Sequence, residues 1–243
     1  MKFNLKDIEL SRIDVKEKII IPKRITSELA ELIGILIGDG HIYTNKNKYI
    51  IGFTGNSITD KEYYNYIKKL IKIVWNKEIK IRNEYRCIRI AFGSKGIAQF
   101  LIKTIGLING KEKSWTVFIP QIVTKNWNIV KHTIRGIVDT DGSIFVAKKP
   151  RVLAYPSIEF DTSSKKLALQ LREILLNQGF RVANIWTYQT KLGKRPMYKV
   201  PLNGIKNLEK WLDEIGFSNP YKLRRAQKCL YNYQNKKNGS REI

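Results

Sequence analysis

Two stretches of the chain resemble each other closely: Leu32-Ile-Gly-Ile-Leu-Ile-Gly-Asp-Gly40 and Ile134-Arg-Gly-Ile-Val-Asp-Thr-Asp-Gly142. Each is largely apolar, has glycine at its third place and ends in Asp-Gly. The likeness continues downstream, where Ile51–Ser57 matches Ile158–Ser164. Self-similarity that keeps its order over such a length is the signature of an internal repeat. The sequence therefore predicts two copies of one α+β fold.

Both copies show the same order of predicted elements. Each motif is interpreted as an apolar helix that stops at Gly40 or Gly142, and in the first copy Ser27 is the expected N-cap, with Glu28 and Glu31 in the first turn. Two strands, an amphipathic helix, half-buried strands and a closing helix follow. The predicted ranges are 41–46, 49–54, 59–75, 79–82, 88–90 and 96–105 in the first copy, and 143–148, 153–160, 164–178 and 204–215 in the second.

These elements divide the chain into four predicted segments. We expect an N-terminal arm over 1–24, a first repeat over 25–112, a linker over 113–130 and a second repeat over 131–243.

The charge balance points to a polyanionic partner. Lys and Arg number 45 against 21 Asp and Glu, which gives a formal net charge of +24. Hydrophobic residues make up 43% and aromatic residues 11%, so the chain is not a disordered basic tail. The two cysteines are in no CxxC pair, which excludes a cysteine-based zinc site. The longest apolar stretch is too short for a membrane span, and the N-terminus has no signal-peptide core, so we expect a cytoplasmic protein of a prokaryotic host.

The repeated motifs also predict a chemical site. Gly34 and Gly136 open a stripe of small residues in each helix, continued by Gly38 and Thr140, and small residues let two helices approach closely. If the helices pack together, Asp39 and Asp141 lie side by side. Paired carboxylates in a basic protein suit a hard divalent cation, Mg²⁺ first, and metal-assisted phosphodiester hydrolysis.

Simpler readings of these acids remain open. An Asp-Gly pair after one helix is more often a plain turn. Asp139-Thr-Asp141 also imitates a calcium loop, but Ile144 stands where that loop requires glycine and Pro150 where it requires glutamate. Asp139 is expected to be structural, because its counterpart in the first copy is Ile37.

With these residues the chain resembles the two-motif LAGLIDADG homing endonucleases. The second motif matches the family pattern closely except at Arg135, and the first is looser at Ile37 and Gly38. The resemblance implies a duplicated αββαββα fold, motif helices at a pseudo-twofold interface, and a saddle of antiparallel strands on double-stranded DNA. It also implies that Asp39 and Asp141 ligate Mg²⁺, for which Mn²⁺ would substitute, together with the carbonyl groups of Gly38 and Thr140.

Family members usually have a basic residue near each scissile phosphate. Lys113 and Lys222 stand in the matching places, although either could be ordinary solvated surface. The polar residue that relatives have at the end of the second strand is replaced here by Gly55-Asn56 and by Asp161-Thr162-Ser163. Because of that departure, the resemblance does not predict how water is arranged around the metals.

Outward positions of the predicted strands offer basic side chains to DNA, by phosphate or base contacts. The candidates are Lys80, Arg82, Arg86, Arg89, Lys148, Lys149, Arg151, Arg181, Lys191, Lys194, Arg195 and Lys199. Tyr43, Tyr49, Trp186 and Tyr188 interleave with them, and covering the sheet or its core explains them equally well.

The sequence thus predicts a monomeric, pseudo-symmetric endonuclease that cuts both strands of a long asymmetric DNA site, with no obligate protein partner and no membrane contact. The alternative is an RNA-splicing maturase or a DNA-binding regulator on the same scaffold without cleavage. The target, the role of the arm and the host element, intron or intein, stay open.

Overall fold

The computed structural model describes residues 2–110, 112–149, 152–191, 193 and 195–239. The first part of the chain contains α1 (Arg12–Lys16), α2 (Ser27–Ile37), β1 (Gly40–Asn45), β2 (Lys48–Asn56), α3 (Lys61–Trp75), β3 (Ile81–Glu84), β4 (Cys87–Gly93) and α4 (Lys95–Gln99), which continues as a π-helical segment (Phe100–Ile105). Two short helices follow, α5 (Lys113–Thr116) and α6 (Gln121–Thr124). The second part contains α7 (Trp127–Asp141), β5 (Gly142–Lys149), β6 (Val152–Thr162), α8 (Lys165–Asn177), β7 (Trp186–Gln189), β8 (Pro196–Asn203), α9 (Ile205–Glu214) and α10 (Pro220–Gly239). Within the described ranges, no helix has both the length and the apolar character that crossing a membrane would require.

Each half forms one four-stranded antiparallel sheet. The strand orders are β1-β2-β4-β3 and β5-β6-β8-β7, so the second sheet repeats the first. The register repeats as well, because Gly40 pairs with Phe53 and Gly142 pairs with Phe160. The predicted duplicated α+β fold is confirmed.

The two faces of each sheet differ in character. Phe53 and Ile90 in the first sheet, and Ile158 and Val200 in the second, are buried against the helices of their own half. Side chains alternate between faces along a strand, so the opposite face of each sheet is the open one. Here this face is called the outer face.

Helix α2 begins one residue earlier than the sequence suggested. Thr26, not Ser27, is the N-cap, since its extended backbone lets Oγ1 accept a hydrogen bond from the Leu29 amide at 3.2 Å. Glu28 is in the first turn as predicted, but Glu31 lies further along and is buried.

The ends of the motif helices also differ from the prediction. Helix α2 ends at Ile37, three residues before Gly40, whereas α7 runs to Asp141. Gly40 and Gly142 each begin a strand, and a Cβ atom on either would lie 2.5 Å from an atom of Leu36 or Val138 in the preceding helix turn. Glycine is required there because the strand folds back tightly against its own helix.

The two motif helices cross at their glycines. A Cβ atom on Gly34 would lie 2.1 Å from the Thr133 carbonyl oxygen, and one on Gly136 would lie 2.5 Å from the Glu31 carbonyl oxygen. The Thr133 hydroxyl donates to the Ala30 carbonyl group across the crossing at 2.9 Å. Helices α2 and α7 therefore form the interface between the halves at backbone contact distance.

An ion pair spans the same interface. Arg135 binds the carboxylate of Glu31, which also accepts from the Tyr66 hydroxyl at 3.0 Å. Arg135 donates further to the Ile215 carbonyl oxygen at 3.2 Å. The one residue that departs from the family pattern in the second motif thus ties the two halves together.

Three further boundaries differ from the sequence reading. Strand β3 begins at Ile81, so Ile79 and Lys80 precede it. The closing helix of the first half changes from α-helical to π-helical at Phe100. Helix α7 begins at Trp127, inside the range 113–130 that we predicted as a linker.

The N-terminal segment packs on the first half. Asp14 is fully buried, and its carboxylate accepts from the Ser11 amide at 2.9 Å and from the Gly96 amide at 3.1 Å. The Phe3 amide donates to the Lys23 carbonyl oxygen at 2.8 Å, which closes the segment on itself.

Candidate functional site

Two carboxylates meet where the motif helices end. Asp39 follows Gly38, the C-cap of α2, and Asp141 is the last residue of α7. Gly38 fits against the other helix, because a Cβ atom there would lie 1.9 Å from Thr140 Oγ1 and 3.2 Å from Asp141 Oδ2. The helix crossing therefore brings both acids to one end of the interface.

Their surroundings disfavour two negative charges. Burial, together with the neighbouring carboxylates of Asp141 and Asp60, raises the pKa of Asp39 to about 7, although the charges of Lys222 and Lys113 oppose this rise. Burial also raises the pKa of Asp141, although solvent still reaches this side chain. A cation placed between the acids would favour their charged forms.

Two lysines bind the same helix ends. Lys113 Nζ donates to the carbonyl oxygens of Gly38 at 2.6 Å and Gly40 at 2.5 Å. Lys222 Nζ donates to the carbonyl oxygens of Val138 at 2.8 Å and Thr140 at 3.0 Å. The C-terminal carbonyl groups of a helix carry partial negative charge, so an ammonium group is stable there. The same lysine–carbonyl arrangement therefore occurs at the end of both motif helices.

Burial disfavours the protonated form of both lysines. It lowers the pKa of Lys113 to about 8, an effect that Asp141 and Asp39 oppose. Burial lowers the pKa of Lys222 in the same way, opposed first by Asp139. The nearby carboxylates therefore favour the charged form of both lysines against the effect of burial.

The oxygen atoms at this place fit a hard divalent cation. The Gly38 and Thr140 carbonyl groups each accept from a lysine and keep a second lone pair. Across the described ranges, no three His, Cys, Asp or Glu side chains group as a metal site would need. Asp39 and Asp141 could therefore hold a cation only together with backbone, water or ligand oxygens.

Asp139 faces the protein interior. It is buried, and its Oδ2 accepts from the Ser218 amide at 2.8 Å. This bond fixes the turn that leads to Lys222.

Sequence reasoning missed two side chains beside the carboxylates. Asp60 accepts from the Asn56 amide at 2.8 Å and from Asn219 Nδ2 at 3.2 Å. Asn219 is fully buried and also donates to the Asp139 carbonyl oxygen at 3.2 Å. No local pattern signals these residues, because they come from different halves.

Asp60 and Tyr64 also explain the glycine at the end of β2. A Cβ atom on Gly55 would lie 2.7 Å from the Tyr64 ring and 3.0 Å from Asp60 Oδ2. The Tyr64 ring and the Asp60 carboxylate therefore leave no room for a side chain at position 55.

Of the DNA-contact candidates whose side chains are described, three lie on strands. Arg82 and Arg89 are paired across β3 and β4 on the outer face, and Arg89 contacts Glu84 at 3.4 Å. Lys199 lies on the outer face of the second sheet, 2.6 Å from Glu159 and 3.9 Å from Asp161.

The other candidates are distributed more widely. Lys80 precedes β3, Arg86 is in the β3–β4 turn, Lys191 is in the β7–β8 turn and Arg181 is in the α8–β7 connection. The guanidinium group of Arg195 stacks on the Trp115 ring at 3.8 Å. The backbones of Lys148 and Lys149 belong to β5 while their side chains are outside the described part, as are Arg151 and Lys194 altogether.

The position of two acids on the second outer face was also missed. Asp161 accepts from the Tyr188 hydroxyl at 2.9 Å, and Glu159 accepts from the Ser157 hydroxyl at 3.2 Å. The alternation in Ile158-Glu-Phe-Asp-Thr162 places both acids on the face opposite Ile158 and could have revealed them.

Comparison with known proteins identifies the repeated module. The sequence profile of the LAGLIDADG-like domain matches residues 129–216. The chain is 32% identical over 204 residues to the replication factor C small subunit of Thermococcus kodakarensis, covering 83% of this chain and 21% of that protein. Its identity to the protein of the same name from Methanocaldococcus jannaschii is also 32% over 204 residues, covering 84% of this chain and 10% of that protein. The replicative DNA helicase DnaB of Nostoc sp. is 29% identical over 126 residues, which are 51% of this chain and 14% of that protein. The chain spans about a fifth or less of the length of these relatives.

Solved structures show the same fold. The I-LtrWI LAGLIDADG homing endonuclease bound to target DNA superposes with a TM-score of 0.59 at 14% identity, covering 87% of this chain and 91% of that one. I-DmoI in complex with DNA and Mn gives 0.54 at 17% identity, covering 79% and 97%. I-DmoI in complex with DNA and Ca gives 0.56 at 16% identity, covering 83% and 97%. At these identities the likeness is one of fold.

Proposed function

Because this chain has the duplicated fold of the LAGLIDADG homing endonucleases, we propose that it is a site-specific DNA endonuclease that breaks both strands of a long asymmetric target. One observation supports this most: two carboxylates converge at the ends of crossing helices, and each helix end also binds a lysine. A scaffold that only binds DNA or RNA has no need of paired acids beside a polyanion, since they repel phosphate.

In this proposal Asp39 and Asp141 hold the divalent cation, Mg²⁺ or Mn²⁺ in its place. The raised pKa values of both carboxyl groups agree with a pair that needs a cation to stay ionised. When bound, the cation supplies Lewis-acid stabilisation and a water of lowered pKa for phosphodiester hydrolysis. The free carbonyl lone pairs of Gly38 and Thr140 complete the protein's share of oxygen ligands.

Lys113 and Lys222 act as fixed positive charges in the proposed mechanism. Their ammonium groups are held by helix-end carbonyl groups, so they need little rearrangement when charge develops on the phosphate. One lysine bound to the end of each motif helix matches one cut in each strand.

The two outer faces are the proposed DNA surface. The first presents paired arginines and the second presents Lys199 between two acids, so each face can read a different half-site. A chain with two unlike halves would act as a monomer on a site without twofold symmetry. We further propose that 25–112 and 131–243 are the two repeats, that 1–24 and 113–130 are accessory segments, and that the protein works in the cytoplasm.

Selection from random DNA tests this function. We would incubate the protein and Mg²⁺ with a randomised duplex library and sequence the cut ends, with EDTA and the Asp39→Asn/Asp141→Asn double variant as controls. One class of sequence should be cut in both strands by the parent protein alone. Equal cut ends in all arms would overturn the nuclease proposal, and enrichment of bound but intact duplexes would favour a DNA-binding regulator.

A further inference from the structure

Each lysine of the site lies on a short segment that is anchored to the other half of the molecule. We call residues 112–119 the first lysine segment and residues 217–224 the second lysine segment. The Ser163 hydroxyl donates to the Ser114 carbonyl oxygen at 2.7 Å, and the Ser164 hydroxyl donates to the Val117 carbonyl oxygen at 2.6 Å. The first lysine segment is thus fastened at the start of α8, in the second half.

Further contacts from the second half extend along this segment. Gln170 accepts from the Ile119 amide at 2.9 Å and donates to its carbonyl oxygen at 3.2 Å. Arg195 covers the Trp115 ring, with its guanidinium carbon 3.8 Å from the ring centre. The segment before and after Lys113 therefore follows the position of the second half.

The second lysine segment is fastened to the first half through side chains. Asn219 Nδ2 donates to Asp60 at 3.2 Å, and Arg224 pairs with Glu62 at 2.9 Å. Both acids belong to the start of α3, as Asp60 is its N-cap and Glu62 lies in its first turn. Ser164 is likewise the N-cap of α8, so the two anchors occupy equivalent places in the duplicated fold.

The ammonium group of each lysine does not bind the half to which its segment is anchored, but the other half. Lys113, which directly follows the first half, donates to the Gly38 carbonyl group at the end of α2 in that half, and Lys222 donates to the Thr140 carbonyl group at the end of α7 in the second half. Each lysine segment therefore contacts the half opposite to the helix end that its Nζ binds. The second segment is also held by its own half, where the Ser218 amide donates to Asp139. The contacts with the opposite half depend on correct docking of the two halves.

We propose that Ser163 and Asp60 are positioning residues, each of which sets the lysine of the opposite half and thereby the cleavage of one DNA strand. This inference rests on the proposed endonuclease function. Loss of one anchor should slow the cut that depends on the opposite lysine and leave the other cut near its normal rate.

Measuring the cleavage of each DNA strand separately tests whether each anchor acts on the lysine of the opposite half. On the selected target with one label in each strand, Lys113→Met and Lys222→Met first identify the strand that each lysine serves. Ser163→Ala should slow the strand of Lys113, and Asp60→Ala the strand of Lys222, changing the strand ratio about two- to tenfold, as expected for one hydrogen bond. Ser57→Ala and Asp213→Ala make the same substitutions at other positions and should leave the ratio unchanged. Asp60→Asn removes the charge beside Asp39 but keeps an oxygen that can accept from Asn219, so it should change the ratio less than Asp60→Ala does. An equal slowing of both strands would indicate a merely structural effect and overturn the inference.

Hydrogen exchange on the metal-free and DNA-free protein supplies a readout that does not require cleavage. Ser163→Ala should speed amide exchange in 112–119 and not in 217–224, and Asp60→Ala should do the reverse. Unchanged exchange in both segments would overturn the inference even if the protein is a nuclease. A wild-type protein that cuts no DNA but shows the crossed exchange pattern would refute the endonuclease function and leave the anchoring intact.

Discussion

At the scale of single residues, the site is a balance between two acids and two lysines in a confined space. Burial favours the neutral form of all four groups, since it raises the pKa of the carboxyl groups and lowers that of the amines. Each acid favours the charged lysines and repels the other acid. The sequence indicated the identities of these four residues, but not the proximity of Asp60, which only the packing of α3 against the second half creates.

The raised pKa of Asp39 predicts a pH-dependent stability. The folded protein holds this proton to a pKa of about 7, against about 3.9 in the unfolded chain, so unfolding releases protons between those values. The metal-free protein should therefore lose stability as the pH rises from about 4 to about 7. Asp39→Asn stays neutral and should be more stable than the parent at pH 8 by about 1–2 kcal/mol, after allowance for solvent screening. Urea unfolding in EDTA at pH 5 and pH 8 measures this, with Asp213→Asn as control. Identical pH slopes for Asp39→Asn and the parent would contradict it.

At the scale of elements, the helix crossing determines where the acids meet. The repeated glycines predicted a close approach, and a Cβ atom on either one would overlap backbone atoms of the facing helix. The exact ends of the helices could not be predicted in the same way. Gly38 ends α2 early where it meets Thr140, and Gly40 and Gly142 serve the turn into a strand rather than a left-handed helix cap. These are consequences of contact between elements, which local sequence signals do not contain.

The crossing glycines should tolerate no side chain. Gly34→Ala and Gly136→Ala should each lower the free energy of unfolding by about 1–3 kcal/mol or more, because the added methyl group meets backbone atoms that cannot move aside alone. Gly93→Ala is the matched control, since the nearest atom to its added Cβ is 3.5 Å away. Chemical denaturation of the three variants measures the difference. If the crossing variants are as stable as Gly93→Ala, the helices do not cross at these glycines.

At the scale of the whole molecule, duplication gives two similar halves with different outer faces. The repeat made the fold predictable, because the order of elements could be assigned twice from independent stretches of sequence. The crossed anchoring of the lysine segments could not be predicted, since Ser163, Asp60 and their partners are far apart in sequence and carry no shared pattern. The basic surface was only partly predictable, as Arg181 and Lys191 lie in connections rather than on strands.

A charge of +24 should make binding to any duplex steeply dependent on salt. Arg82→Ala removes an exposed charge from the first outer face and should make the slope of log affinity against log salt shallower by about one, if the side chain contacts phosphate. If it reads a base instead, affinity should fall by about 1–3 kcal/mol on the target alone. Salt titrations on target and scrambled duplexes distinguish these cases, with Lys69→Ala on α3 as control. Equal results for Arg82→Ala and Lys69→Ala would show that this outer face does not contact DNA.

The most direct test of the whole account is cleavage of the selected target by single-acid variants. Asp39→Asn and Asp141→Asn should each abolish the double-strand break in Mg²⁺ and bind the same duplex as tightly as the parent or more tightly, since a repulsive charge beside phosphate is removed. Asp213→Asn, on the exposed side of α9, should cut normally. Double-strand cleavage at the parent rate by either Asp39→Asn or Asp141→Asn would contradict the assignment of these acids as the metal-holding pair.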